Sequence, residues 1–174
     1  SPFSEIRKAV DICEKLMAEP NSPILGLHVE GPYLNRKMAG EQFANQVKEV
    51  DVAEYTSLLE STDCIKRWDA SPELPGALDF ARYLKSKGIV GAVSHTEAEY
   101  DGIKEAYEAG FTHAAHFYNA MPGFHKRREY KYEGTVESVY LTDGMTIELI
   151  ADGIHLPSTI LKLAYKLKGV EHTC

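Results

Sequence analysis

The sequence predicts an α/β fold in which about five βα units place parallel strands beneath outer helices. Short apolar runs bounded by turn residues alternate with amphipathic segments, at intervals of roughly 20 to 40 residues. Two helical segments end in glycine directly before the next apolar run, at "SKG-IV" and "EAG-FT", as helix C-termini commonly do. With 174 residues and 44% hydrophobic content, the chain is long enough for one domain over residues 1–174.

The first half of the chain contains two helices and two strands. An amphipathic helix opens it, and Ser4 is placed to cap the first turn. The turn residues "EPNSP" then separate this helix from an apolar run that ends at Val29. The predicted elements are a helix over 4–18, a strand over 24–29, a helix over 51–61 and a strand over 64–70.

The second half continues the alternation. "PGALDFARYLKSKG" and "EAEYDGIKEAYEAG" have apolar residues at helical spacing, and each precedes a strand-like run. "VESVYLTDG" fits a helix or an irregular crossover. The predicted elements are helices over 75–88, 97–110 and 158–169, strands over 89–95, 111–117 and 145–153, and the helix or crossover over 136–144.

The composition excludes several classes of function. The formal net charge is −7, whereas proteins that bind nucleic acids cluster Lys and Arg on one face, so we expect no nucleic-acid partner. No apolar run approaches about 18 residues and no signal-peptide pattern opens the chain, so we expect no membrane partner and a cytoplasmic location. Cys13, Cys64 and Cys174 lack the spacing of a disulfide framework or a thiolate zinc site.

Charged and imidazole side chains follow the predicted strands. In parallel sheets the functional residues gather where strands end and the next loops begin. At those positions the chain has Glu30, Asp69, His95, His116, and Asp152 with His155. One short basic segment, "HKRREYK" at 125–131, is either a solvated loop or a site for one small phosphate.

Glu30, His95 and His116 together predict a metal site. A single histidine at a strand end is more often structural than a ligand. Two imidazoles and one carboxylate from separate strands, with a coordination position left open, are typical of a catalytic divalent-metal site. Two other histidines are alternatives for a ligand position: His28, which is in phase with Glu30, and His113, which is close to His116. Either could instead fill an interior layer beneath the site.

Four segments carry a resemblance to a known family. They are "GLHVEGPYLN" (26–35), "SHTEAEYDG" (94–102), "THAAHFYNAMPG" (112–123) and "IADGIH" (150–155). In order and spacing they resemble the motifs of the N-acetylglucosamine-6-phosphate deacetylase family of the amidohydrolase superfamily. The resemblance implies a partial (β/α)8 TIM barrel and hydrolysis of an acetamide on an amino sugar phosphate, a small-molecule partner. It also implies a homodimer in the full-length protein.

The resemblance assigns the metal ligands and several substrate contacts. Glu30, His95 and His116 become the ligands of one divalent cation, with Zn preferred and Fe, Co or Mn as alternatives. His155 becomes a catalytic residue that orients the amide or stabilises its developing oxyanion. The implied substrate contacts are Asn119 and Ala120 for the sugar phosphate, and Asp152, Gly153 and His155 in the "ADGIH" motif.

Two further assignments are less direct. The family's phosphate-binding arginine corresponds to Arg127 by counting from Asn119, and Arg128 is kept open because it precedes Glu129 as the family arginine usually does. The resemblance also implies substrate contacts at Gly40, Glu41 and Gln42. Gly40 matches the family's pattern, whereas Gln42 stands where the family usually has a substrate-contacting histidine. The exact sugar is therefore left open.

The resemblance also predicts that the chain is a fragment of a barrel. The family's catalytic Asp follows the strand after the "ADGIH" helix, and this sequence ends at "GVEHTC". Eight βα units need about 250 residues, and the chain supplies about five units. We therefore expect the 174 residues alone to bind metal weakly or not at all and to have little deacetylase activity.

Two rival interpretations remain. The chain belongs either to another metal-dependent amidohydrolase, such as a cyclic amidase or a nucleobase deaminase, or to a non-catalytic fragment with structural His and Glu residues. The basic segment 125–131 favours a phosphorylated substrate over the first rival. The metal content of the protein distinguishes the metal-dependent enzymes from the non-catalytic fragment.

Overall fold

Five parallel strands form the central sheet of the structure, a computed structural model that describes residues 2–39 and 46–174. The strands are β1 (Leu27–Glu30), β2 (Ile65–Ala70), β3 (Val90–Val93), β4 (Phe111–Ala114), β5 (His125–Arg127), β6 (Tyr130–Tyr132) and β7 (Thr146–Ile147). The helices are α1 (Phe3–Met17), α2 (Val52–Leu59), α3 (Ala77–Ser86), α4 (Tyr100–Ala109), α5 (Thr135–Tyr140) and α6 (Ser158–Lys168), followed by a 3₁₀ turn at Val170–His172. The sheet order is β1-β2-β3-β4-β7, and β5 and β6 form a separate antiparallel hairpin. The predicted α/β fold with about five βα units is confirmed.

The two faces of the sheet differ in polarity. On one face Trp68, Val93 and Ile147 pack against helical side chains such as Phe80 and Ile103, and all five are fully buried. The indole N–H of Trp68 donates to the carbonyl of Gly31 at 2.9 Å, which anchors the residue after Glu30. The opposite face has polar residues in mutual contact: His28, Arg67, Asp69, His113 and Thr146. We call this group the polar layer.

Several strands are shorter than predicted. The strands β3 and β4 end at Val93 and Ala114, because His95 and His116 have left-handed φ values of 46° and 32° that cannot continue a strand. At the other end, β1 begins at Leu27 because its neighbour β2 begins at the paired residue Ile65. The strand predicted over 145–153 is also short, since β7 pairs with its neighbour over two residues only.

The helix ends are partly as predicted. Gly88 and Gly110 follow α3 and α4 with φ values of 70° and 134°, which confirms the expected glycine stops. The predicted cap at Ser4 is wrong, because Pro2 occupies the N-cap position and its carbonyl accepts the N–H of Glu5 at 2.9 Å. The basic segment 125–131 is not a simple loop, since it forms most of the β5–β6 hairpin.

The C-terminal residues lie along the free edge of β7. Thr173 pairs with Ile147 in the parallel direction, and the N–H of Cys174 donates to the Ile147 carbonyl at 3.0 Å. These two residues therefore continue the sheet by one short parallel pairing beyond β7. No helix within the described residues is long and apolar enough to cross a membrane.

Candidate metal centre

Glu30, His95 and His116 lie at the carboxyl ends of three strands. Glu30 is the last residue of β1, and each histidine follows its strand by two residues. Parallel pairing places these ends at one edge, since Glu30 is in register with Asp69 and Asp69 with Ala92 of β3. Three distant segments of the sequence thus meet at one point.

The three side chains have the geometry of a ligand cluster. Glu30 Oε1 lies 2.7 Å from His95 Nε2 and 3.3 Å from His116 Nε2. The two imidazole rings are 4.9 Å apart and nearly perpendicular, at 76°. One nitrogen or oxygen atom from each residue lies within 4.8 Å of the corresponding atoms of the other two. No other group of three His, Cys, Asp or Glu residues among 2–39 and 46–174 has this geometry.

The hydrogen bonds of the histidines direct their Nε2 atoms to the centre of the cluster. His95 Nδ1 lies 3.0 Å from the Met38 carbonyl, and His116 Nδ1 lies 3.2 Å from the Asn119 carbonyl. Because a carbonyl only accepts, each Nδ1 carries the proton, and in the neutral ring Nε2 keeps a free lone pair. The buried His116 Nε2 has no hydrogen-bond partner in the described structure. A cation would satisfy this atom, so the donor set fits a divalent metal.

The cluster holds a negative carboxylate. The imidazoles of His116 and His95 keep the pKa of Glu30 well below its ordinary value, against the opposing effect of burial. Burial acts to lower the pKa of His116, but the Glu30 carboxylate outweighs it and the net shift is upward. A negative carboxylate is thus stabilised where the three strands end.

Backbone and side-chain contacts support the two histidine loops. Ser71 Oγ donates toward the carbonyl of His95 at 2.7 Å, and the Glu73 carboxylate accepts the N–H of Glu97 at 2.9 Å. The N–H of Thr96 donates to the Ala120 carbonyl at 3.2 Å. This last bond joins the loop after β3 to the loop after β4.

A pocket adjoins the cluster. Its volume is about 330 Å³, and its lining includes Glu30 and His95 together with His28, Pro32 and Leu34. This volume is at the lower end of the range of about 300 to 1,000 Å³ that is usual for small-molecule sites. The pocket therefore admits a ligand of roughly monosaccharide size beside the candidate ligands.

The loop after His116 contains two of the implied substrate contacts. Ala120 has a left-handed φ of 51°, and the Asn119 side-chain amide donates to the His116 carbonyl at 3.1 Å. In this structure Asn119 therefore fixes the turn that presents the histidine. Gly40, Glu41 and Gln42 lie outside the described residues.

His155 and Asp152 form an exposed pair in the segment between β7 and α6, and neither belongs to the ligand cluster. His155 Nδ1 lies 2.8 Å from Asp152 Oδ2, while Asp152 Oδ1 accepts the N–H groups of Ile154 at 2.8 Å and His155 at 3.0 Å. These backbone bonds and the imidazole lower the pKa of Asp152 to about 2. Gly153, with a φ of 78°, forms the bend between them.

The two candidate phosphate arginines have different positions. Arg127 ends β5, pairs with Glu99 and places its guanidinium 4.8 Å from the centre of the Tyr132 ring. Arg128 has a left-handed φ of 54° in the turn of the hairpin. Arg127 is thus the more fixed of the two side chains.

The alternative ligands lie in the polar layer. His28 Nε2 lies 2.7 Å from Asp69 Oδ2, and His113 Nδ1 lies 2.7 Å from Thr146 Oγ1. Neither histidine belongs to the ligand cluster. Asp69, a strand-end candidate, is fully buried at ion-pair distance from Arg67.

Two residues of this interior were not predicted from the sequence. Arg67 and Glu148 form an ion pair, and Glu148 Oε1 accepts the N–H of His116 at 3.2 Å. A signal existed, because each is a charged residue inside a predicted strand, Arg67 in 64–70 and Glu148 in 145–153.

Comparison with known proteins gives relatives of one kind. No family model matches the chain. The chain is 35% identical over 147 residues to an N-acetylglucosamine-6-phosphate deacetylase of Bacillus subtilis, covering 84% of the chain and 36% of that protein. It is 32% identical over 146 residues to an N-acetylgalactosamine-6-phosphate deacetylase of Escherichia coli O157:H7, covering 83% and 37%. The chain thus spans well under half the length of the curated relatives it matches.

The solved structures agree. The crystal structure of N-acetylglucosamine-6-phosphate deacetylase from Pasteurella multocida superposes with a TM-score of 0.89 and 28% identity. The match covers 100% of this chain and 44% of that one. The resemblance carried by the four sequence motifs is confirmed.

Proposed function

We propose that the chain, homologous to N-acetylglucosamine-6-phosphate deacetylases over less than half their length, is the metal-binding part of such an enzyme. The reaction would remove acetate from N-acetylglucosamine 6-phosphate and give glucosamine 6-phosphate. The observation that carries the proposal is the convergence of Glu30, His95 and His116 at one edge of the sheet.

In this proposal the three side chains hold one divalent cation. Zn is our first assignment, and Fe, Co and Mn suit the same donors. When bound, the cation supplies the Lewis acidity that activates water and polarises the acetamide carbonyl. The carbonyls of Met38 and Asn119 keep both histidines in the tautomer that ligates through Nε2.

His155 would act on the acetamide. Its ring is fixed through Nδ1 by Asp152, whose low pKa keeps it negative at neutral pH. With the ring fixed in this way, His155 would orient the scissile amide or stabilise its developing oxyanion.

The phosphate would be held at a distance from the reacting bond. Asn119, Ala120 and Arg127 are our assignments for this contact, and Asp152 and Gly153 complete the substrate contacts beside His155. A guanidinium already stacked on Tyr132 loses little freedom when it binds a phosphate. Such remote binding would position the acetamide at the metal.

Two proton transfers still need a carrier. The attacking water must lose a proton, and the leaving amine must gain one. The resemblance assigns this task to an Asp. The chain spans 36% and 44% of the length of two of its relatives, and we propose that its residues act within a longer enzyme. We further propose that this enzyme is cytoplasmic and homodimeric, with amino sugar phosphates and not nucleic acids or membranes as its partners.

The test uses a chain extended to the full length of its relatives, here called the extended chain. We expect it to bind about one zinc per protomer and to release acetate from N-acetylglucosamine 6-phosphate faster than from the unphosphorylated sugar. His116→Ala should abolish both zinc binding and acetate release, whereas His172→Ala, outside the cluster, should change neither. N-acetylgalactosamine 6-phosphate measures the sugar preference that Gln42 leaves open.

Two arginine variants test the phosphate assignment. Arg127→Met should raise KM for the phosphorylated sugar about tenfold or more, because a charge-assisted contact is lost. Arg128→Met is the matched control and should change KM little. Equal effects of the two variants would contradict the assignment, and an extended chain without zinc or acetate release would contradict the proposed function.

A further inference from the structure

We infer that Glu148, locked by Arg67, is the positioning residue that holds metal ligand His116 in its ligating conformation. The inference rests on the proposed metal-binding function. It adds a contact from the interior of the sheet that acts on the ligand through the backbone.

The loop that carries His116 needs support from outside itself. Three non-glycine residues within five positions have left-handed φ values: His116 at 32°, Tyr118 at 78° and Ala120 at 51°. Each such residue is held in a sparsely populated backbone conformation. A loop with this conformation persists only where its surroundings fix it.

Glu148 makes three contacts to this turn. Its own N–H donates to the Ala114 carbonyl at 3.0 Å, and its carbonyl accepts the N–H of Phe117 at 2.7 Å. Its Oε1 accepts the N–H of His116 at 3.2 Å. The two backbone bonds are available to any residue at this position, but the third needs a side-chain acceptor of this length.

Arg67 fixes the carboxylate that makes the third contact. Its Nη1 pairs with Glu148 Oε2, so the two carboxylate oxygens have separate partners. Arg67 is held in turn by His28, whose Nδ1 lies 3.1 Å from its Nη2, and by Asp69, at an ion-pair distance of 3.2 Å from its Nε. The guanidinium therefore cannot swing away without breaking contacts to β1 and to its own strand.

The rival explanation is that Glu148 only neutralises the charge of a partly buried arginine. Under that explanation, loss of the carboxylate lowers stability but leaves the ligand geometry unchanged. The two explanations separate on metal affinity, because only the positioning role requires the contact to His116.

The experiment measures zinc affinity of the extended chain by competition with a chelator. Glu148→Ala should weaken zinc binding by about 10- to 100-fold, as loss of contacts that orient a ligand does. Glu148→Gln has one acceptor oxygen for two donors, the His116 N–H and Arg67 Nη1, so its zinc affinity should lie between those of the unaltered protein and Glu148→Ala. The absorption bands of the cobalt-loaded protein should change most with Glu148→Ala.

Thr146→Val is the matched control. It removes the hydroxyl that contacts His113 in the polar layer, two residues from Glu148, and leaves the His116 contact intact. Zinc affinity should be unchanged even where stability falls. If Glu148→Ala does not fold, Glu148→Asp, which keeps the charge but retracts the carboxylate by one methylene, should weaken zinc binding about tenfold.

The outcomes separate this inference from the proposed function. If the unaltered extended chain binds no zinc, the proposed function fails. If it binds zinc and the Glu148→Ala or Glu148→Asp protein binds equally well, only the positioning role fails. A loss with Thr146→Val as large as that with Glu148→Ala would also overturn the positioning role, because it would show that general loosening of the polar layer is sufficient.

Discussion

At the scale of single residues, hydrogen bonds decide which histidines can ligate a metal. His95 and His116 each give their Nδ1 proton to a carbonyl and direct Nε2 to Glu30. His113 has both nitrogens engaged: Thr146 Oγ1 is 2.7 Å from Nδ1 and Arg67 Nη1 is 3.3 Å from Nε2. His113 is therefore a neutral residue of the sheet interior, and neither of its nitrogens is free to bind a metal.

The neutrality of His113 predicts a pH dependence of stability. Burial and the neighbouring Arg67 lower its pKa from 6.5 to about 4. Between these values the unfolded chain binds the extra proton, so the contribution of His113 to stability is complete above pH 6.5 and is lost as the pH falls toward 4. This pKa shift corresponds to a decrease of about 2 to 3 kcal/mol in the free energy of unfolding between neutral pH and pH of about 4.5.

Replacement of this histidine tests the effect. In the extended chain, His113→Asn should lower the free energy of unfolding at pH of about 7.5 but should make it fall less toward pH of about 4.5. Urea unfolding at the two pH values measures the difference. An equal fall in both proteins would show that His113 does not stay neutral in the folded state.

The sequence predicted the ligand cluster but not its supports. Glu30, His95 and His116 each follow a strand, and their residue types are those of metal ligands. Arg67 and Glu148 act through contacts across the sheet, between residues 81 positions apart in the sequence. Such contacts depend on strand register, which a single sequence does not reveal.

At the scale of elements, periodicity predicted which segments are helices and strands, while local geometry set their ends. All five parallel strands lie within or next to the predicted runs. The runs at 89–95 and 111–117 end early because their last residues turn into the site. The β5–β6 hairpin was missed because charged residues with little apolar alternation resemble a solvated loop.

Alanine substitutions at Gly102, within α4, and at Gly110, directly after α4, should have opposite effects on stability. At Gly110, with a φ of 134°, an added Cβ would lie 2.8 Å from the Ala81 carbonyl oxygen. Gly110→Ala should therefore lower the free energy of unfolding by roughly 1 to 3 kcal/mol. Gly102 lies within the helix, and an added Cβ would meet only the Ala98 Cβ, at 3.5 Å.

Gly102→Ala is accordingly the matched control. It should raise the free energy of unfolding by roughly 0.5 kcal/mol, because alanine loses less backbone entropy in a helix. Urea unfolding of the two variants of the extended chain measures both changes. Destabilisation of similar size by the two variants would show that the junction between α4 and β4 is not specially constrained.

At the scale of the whole molecule, the five-stranded sheet is open at both edges. Within the described residues β1 pairs only with β2, and beyond β7 only the short pairing of Thr173 and Cys174 continues the sheet. The polar layer is consequently only partly covered, and the His28 side chain is 41% exposed. The contacts that hold Arg67 are therefore partly open to solvent at the β1 side.

This openness predicts a difference between the 174-residue chain and the extended chain. The shorter chain should bind zinc at least about tenfold more weakly, because the residues that orient the ligands are less fixed. It should also release no measurable acetate and should self-associate through its sheet edges. Chelator competition, an acetate assay and light scattering measure the three properties, and robust turnover by the shorter chain would contradict the prediction.

The hydrogen bond from Thr96 to Ala120 joins the loop of the proposed metal ligand His95 to the loop proposed to contact the substrate phosphate. One partner adjoins a ligand histidine, and the other belongs to the loop assigned to the phosphate. Order imposed on either loop is shared by the other, so sugar phosphate and metal should bind cooperatively. Thermodynamic reciprocity requires each to raise the affinity of the other by the same factor.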